Sequence, residues 1–166
     1  VFFRTASFLG RVDNFFNKWL ADLKVEQRSD GRVPRVIPDT YCAGDYRTAA
    51  TGWADAATIV PWNHYMAYGH IQILEQQYDS MKGWVDYMVS QSKERGWLWN
   101  NGSHYGDWLF YSLSNDPGGR SAVTSSHLVA QCFFAHSADI VCRTAKLLGK
   151  QADADYYADV ASKVRK

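Results

Sequence analysis

The sequence predicts an all-α domain of helical hairpins forming about half of an (α/α)6 toroid. Three observations carry that prediction. Apolar residues recur at spacings of three and four along most of the 166 residues, and no strand-like alternation competes. The helical stretches alternate, three times over, between a mostly buried one and an amphipathic one. Long loops enter the second and third buried helices. An apolar helix walled by an amphipathic one is the unit of such a ring, and the loops entering the inner helices gather at one end around a central cleft. The pattern itself supports the hairpins; closing them into a ring is the next inference.

The elements follow in order. Residues Val1 to Leu9 read as a short apolar helix stopped by Gly10. Asp13 is a good N-cap for a helix running to about Arg28, with Phe15, Phe16, Trp19, Leu20 and Leu23 on one face. Ser29 to Ala50 is a long loop, held extended by Pro34 and Pro38 and ordered by the need to bury Val33, Val36 and Ile37. Trp53 to Tyr68 is apolar or aromatic nearly all round and reads as a buried helix, with a kink or a fresh start near Pro61 and a stop at Gly69. Ile71 to Arg95 is amphipathic through Ile71, Leu74, Tyr78, Met81, Val85 and Met88. Gly96 to Arg120 is a second long loop, rich in aromatics, Asn, Asp and Gly. Ser121 to Leu148 is a long helix with Gly149 as its C-cap, and Ala152 to Val164 is amphipathic.

Composition narrows the function. Charged residues are 21% and the formal net charge is +1, a balance that points to neither a nucleic-acid partner nor an acidic membrane surface. No apolar run reaches the ~20 residues of a membrane span. Cys132 and Cys142 lie roughly 15 Å apart along one helix and cannot bridge. No Cys/His spacing suggests a metal site, and no cofactor motif is present. The unusual figure is 15% aromatic residues, several of them in polar loops: Trp97, Trp99, Tyr105 and Trp108. Aromatics beside Asn and Asp in loops are often binding surface. The chain opens without Met inside an apolar run and ends inside a helical pattern, so a piece of a longer protein is expected and the compartment is left open.

Several motifs are specific in combination. They are FFRTASF; FFNKWLADLKVEQRSDGRVPRVIPD; GWADAATIVPWNHYMAYG followed by ILEQQYDSMKGWVDYM; GDWL; and AKLLGKQADADYYADVASKV. In this order they resemble the catalytic domain of the α-L-rhamnosidases of glycoside hydrolase family 78. The resemblance implies an (α/α)6 barrel and an inverting hydrolase acting on a rhamnose-containing glycoside or polysaccharide. It implies a general acid Glu upstream of Val1 and a general base Glu downstream of Lys166, so that no catalytic residue lies in this chain. It also implies tryptophans around the rhamnose ring. Trp53 matches one, and Trp108 is the best match for another, with Trp97 and Trp99 as alternatives.

Residue chemistry adds Asp55 and Asp107 as acceptors for sugar hydroxyls and His104 as the one histidine to test for binding. Each has a plainer reading. Trp53 and Asp55 could be a core indole and a helix cap, and Asp107 could order its own loop. Trp62, His64, Tyr65, His127 and His136 read as structural. Two rival functions remain, another (α/α)6 carbohydrate enzyme and a non-enzymatic helical scaffold. An incomplete barrel also predicts exposed apolar surface and self-association.

Overall fold

The computed structural model describes residues 2–40, 49–102, 104–107 and 124–166. Six helices order the described residues: α1 (Phe3–Leu9), α2 (Asp13–Glu26), α3 (Ala56–Tyr68), α4 (Gln72–Ser92), α5 (Ser126–Leu147) and α6 (Gln151–Val164). A 3-10 turn, Lys93–Arg95, follows α4. No β-strand occurs among the described residues. Helices α3 and α4 form one hairpin, α5 and α6 another, and α4 against α5 joins them. Helix α3 also touches α1, α2 and α5, so it is the element most others meet.

Turn chemistry explains the hairpins. Gly69 takes a left-handed conformation, φ 73°, and its N–H bonds the Tyr65 carbonyl, which closes α3 before α4. Helix α5 ends in a Schellman motif: Lys150 N–H bonds Ala145 O at 2.9 Å, and Gly149 N–H bonds Lys146 O at 3.2 Å. The core between the hairpins is large and dry. Trp84, Leu74, Met81, Val85 and Met88 of α4 are sealed with Leu20 and Leu23 of α2, Phe134 of α5 and Tyr157 of α6.

Three expectations need revision, and a fourth, a kink or a fresh start near Val60, narrows, because Pro61 lies inside α3 with no fresh start. The start of α3 lies at Ala56, because residues 51–55 form turns. Helix α5 starts at Ser126, later than the expected Ser121, with Ser125 extended at ψ 129°. Asp13 is the first residue of α2 and makes no side-chain cap; Arg11 holds its carboxylate instead, at 3.2 Å. That guanidinium keeps the Asp13 carboxyl below its usual pKa.

Burial is distributed differently from the alternation in the sequence. Helix α1 buries only Phe3, while Phe8 and Leu9 stay exposed. Helix α3, apolar all round, buries only Ala57, Thr58, Val60, Pro61 and His64. Amphipathic α4 buries an entire face. Helix α4 thus finds its apolar partners within this chain. A helix apolar on every side has faces left over, and one of them forms the floor of a cleft.

Candidate functional site

The turn at residues 51–55 is built around a sealed carboxylate. Gly52 takes φ +83° and turns its N–H onto Asp55 Oδ2 at 2.8 Å. Asp55 Oδ1 accepts from Trp84 Nε1 at 2.9 Å and from Ser137 Oγ at 2.6 Å. The Thr58 hydroxyl lies 3.0 Å from the Asp55 carbonyl and 2.8 Å from Ser137 Oγ. One side chain thus ties the turn to α4 and to α5. Burial pushes the Asp55 carboxyl up in pKa, and the three donors oppose that shift.

This arrangement corrects the reading of Asp55 as a hydroxyl ligand. It has 0% exposure, and both of its oxygens are taken. Nor does it cap α3 with its side chain. The core indole beside it belongs to Trp84, not Trp53. Asp55 is a positioning residue for the turn that carries Trp53.

Trp53 is half-buried in the lining of a cleft of about 530 Å³. Trp19 and Leu23 of α2 form one side, and Val33, Pro34, Arg35 and Ile37 of the first long loop form another. Ala56, Ile59 and Val60 of α3 make the floor, with Val129 and Phe133 of α5 opposite. Trp19 is fixed by its Nε1–H, which donates to Ile37 O at 3.2 Å. The Tyr105 ring meets Trp53 at 4.6 Å between centroids, tilted by 48°. The Arg35 guanidinium lies 4.7 Å from the centre of the Tyr105 ring.

Two motifs far apart in sequence therefore meet at this cleft. Trp53 touches Tyr105, Gly106 shares the lining, and Thr51 bonds His104. His104 Nε2 faces the Asn101 carbonyl at 2.9 Å, so Nε2 carries the proton. Nδ1 then accepts from the Thr51 hydroxyl at 2.8 Å. With both ring nitrogens occupied, His104 has none for a sugar hydroxyl, and the expectation that it binds substrate gives way to a clamping role. Burial holds its pKa below the ordinary histidine value.

The remaining indoles separate. Trp99 is 2% exposed and lies edge-on to Trp84 at 5.5 Å and to His104 at 4.5 Å, so it is core and cannot stack on a sugar. Trp97 lies beneath Lys163 of α6, whose Nζ is 5.2 Å from its ring centre. Asp107 is exposed, next to Gly106 in the lining. Trp108 lies outside the described residues. Among the described residues no group of three or more His, Cys, Asp or Glu could hold a metal ion. Sequence reasoning left out Tyr105 and Arg35 as site residues. The signals were an aromatic one position before GDWL and a lone cation inside the apolar run VPRVIP.

The chain matches the bacterial alpha-L-rhamnosidase 6 hairpin glycosidase domain over residues 1–166. It is 34% identical over its whole length to an alpha-L-rhamnosidase of Formosa agariphila, covering 17% of that protein. It is 36% identical over its whole length to one of Streptomyces avermitilis, covering 14% of it. The chain thus spans about a sixth of the length of these relatives. Among solved structures it is similar to the Streptomyces avermitilis alpha-L-rhamnosidase complexed with L-rhamnose (TM-score 0.76, 35% identity, 93% of this chain and 13% of that one). It is also similar to the enzyme from Aspergillus terreus (TM-score 0.81, 30% identity, 92% of this chain and 17% of that one).

Proposed function

Because the chain belongs to the six-hairpin glycosidase domain family of bacterial α-L-rhamnosidases, we propose that the protein it comes from hydrolyses terminal α-L-rhamnosyl linkages with inversion, and that this chain builds part of the wall holding the sugar. The observation that carries the reading is the cleft itself. It is mostly apolar, it contains a half-buried indole, and among the described residues no Asp or Glu lines it. A sugar's C–H face and a rhamnose methyl group suit such a wall. Trp53 packs on the ring, Trp108 supplies a second indole, and Asp107 accepts a hydroxyl at the rim.

The chemistry falls to carboxylates beyond this chain. An inverting pair stands roughly 6.5–9.5 Å apart with water between the two groups. One protonates the leaving oxygen while the other activates the water. The general acid belongs to the stretch before Val1 and the general base to the stretch after Lys166. The chain in hand contributes binding and orientation.

Two measurements test this. The full-length protein releases rhamnose from p-nitrophenyl α-L-rhamnoside, and the 166-residue chain alone does not; release by the chain alone at a comparable rate overturns the division of labour. Trp53→Ala in the full-length protein raises KM about tenfold, equivalent to ~1.4 kcal/mol, with an unchanged melting temperature. A lowered melting temperature with unchanged KM makes Trp53 a core residue.

A further inference from the structure

Arg35 is out of place in the cleft. Among the described residues it is the only charged one in a lining otherwise made of aromatic, aliphatic and small residues. Its Nε is buried and has no hydrogen-bond partner. It makes no ion pair among the described residues. The other loop arginines are held: Arg28 pairs with Asp39 at 2.9 Å and Arg32 with Asp30 at 2.7 Å. Arg35 has only the face of Tyr105 beneath its guanidinium. A π-face attracts a cation by about 0.5–2 kcal/mol but accepts none of the in-plane N–H bonds.

The buried, unpartnered Nε–H of a charged group is costly, and a neutral hydroxyl leaves the charge uncompensated. A carboxylate or sulfate compensates the charge and takes two parallel N–H bonds at once. We propose that Arg35 contacts substrate directly and selects glycosides carrying an anionic group, a carboxylate or a sulfate, beside the sugar held on Trp53. This rests on the rhamnosidase reading above and adds the class of substrate to it. The Tyr105 ring links the two: it lies 4.7 Å from the Arg35 guanidinium and 4.6 Å from the Trp53 ring, so an anion on Arg35 and a sugar on Trp53 would share one wall.

The test uses the full-length protein and three α-L-rhamnosyl disaccharides of one linkage, with glucose, glucuronate or glucose 6-sulfate as the second sugar. In the wild type, kcat/KM for at least one anionic substrate exceeds that for the glucose compound at least tenfold, and the two anions tell carboxylate from sulfate. Arg35→Gln brings that ratio close to one. Arg35→Lys, which keeps a charge and loses the planar fork, leaves an intermediate ratio. A wild-type ratio near one overturns the proposal without any variant, and so does a ratio that survives Arg35→Gln. Cleavage of none of the three, nor of p-nitrophenyl rhamnoside, overturns the rhamnosidase reading itself.

Discussion

Asp55 stands two positions from Trp53, yet the two side chains do opposite things. The indole faces the cleft and the carboxylate faces the core. Asp55→Ala removes the acceptor for three buried donors, from Gly52, Trp84 and Ser137. Each orphaned donor costs roughly 1–3 kcal/mol, so a loss of ~3 kcal/mol or more in chemical denaturation is expected. Asp55→Asn is subtler, because its amide nitrogen must face a donor whichever way it is flipped. That variant loosens the Gly52–Trp53 turn and raises KM for the sugar with a smaller loss of stability. A variant as stable as wild type, with unchanged KM, contradicts the positioning role. The motif pointed to Trp53, and that residue lines the cleft. The role of Asp55 was not legible: adjacency in a turn does not say which way a side chain points, and its partners lie at positions 84 and 137. Trp99 was misjudged for the same reason, since a loop position says nothing of the Trp84 and Phe134 rings that enclose it. His104 adds a pH signature. Its folded pKa lies below the unfolded value of 6.5. The unfolded chain therefore binds the proton more readily, and stability is complete above about pH 6.5 and erodes as pH falls below it. The loss between pH 7 and 5 is smaller in His104→Gln, and measuring wild type and variant together cancels other titrations, including that of His64, whose pKa burial also lowers. Equal slopes count against the clamp.

The helices show what hydrophobic pattern can and cannot report. Pattern located α4 and α6 closely, because an amphipathic helix records its own buried face. It located α3 but misjudged its depth, because an all-apolar helix does not say which face meets protein and which meets a cleft. The loop into α3 was read as ordered by Val33, Val36 and Ile37; Val33 is buried, whereas Val36 remains exposed. The stronger tether is one that no hydrophobic pattern shows. Gly31, at φ +95°, sits so close to α4 that an added Cβ would lie 2.0 Å from the Gly83 carbonyl oxygen. Gln27 ties the same contact, with Nε2 donating to Gly31 O at 2.8 Å and to Ser80 O at 3.1 Å. Gly31→Ala therefore meets both a backbone clash and a left-handed backbone. It is expected to cost roughly 2–3 kcal/mol and to loosen the segment that carries Arg35. Proteolysis near residues 29–37 reports the loosening, and a cleavage pattern identical to wild type speaks against this crossing as the loop's anchor.

For the whole chain, two of the three expected helix pairs, α3 with α4 and α5 with α6, pack as hairpins as the alternation of helix types predicted, while the ring needed the family. The chain spans 14–17% of the length of its curated relatives, so it makes up a small part of any such protein. Its surface agrees with that proportion. Phe8 is 89% exposed, and Phe2, Leu9 and Phe15 are also open, all on the first two helices; Met66 on α3 is exposed as well. Helix α1 touches α3, sets Phe3 against Phe16 of α2 at 4.6 Å, and leaves Phe8 and Leu9 in solvent. Scattered apolar residues are ordinary on a surface, but several large ones on consecutive short elements form a face that water penalises by roughly 25 cal/mol per Å². The 166-residue chain alone is therefore expected to associate through α1 and α2, with an apparent mass that rises with concentration in light scattering after size exclusion. Phe8→Ser with Leu9→Ser, two exposed positions whose replacement leaves the core intact, shifts that equilibrium toward monomer. The same pair in the full-length protein lowers its stability if this face packs against the rest of the domain, and leaves it unchanged if the face is open there too. A chain that stays monomeric at high concentration and melts in a single cooperative transition shows the opposite: that α1 and α2 close this half of the domain without help.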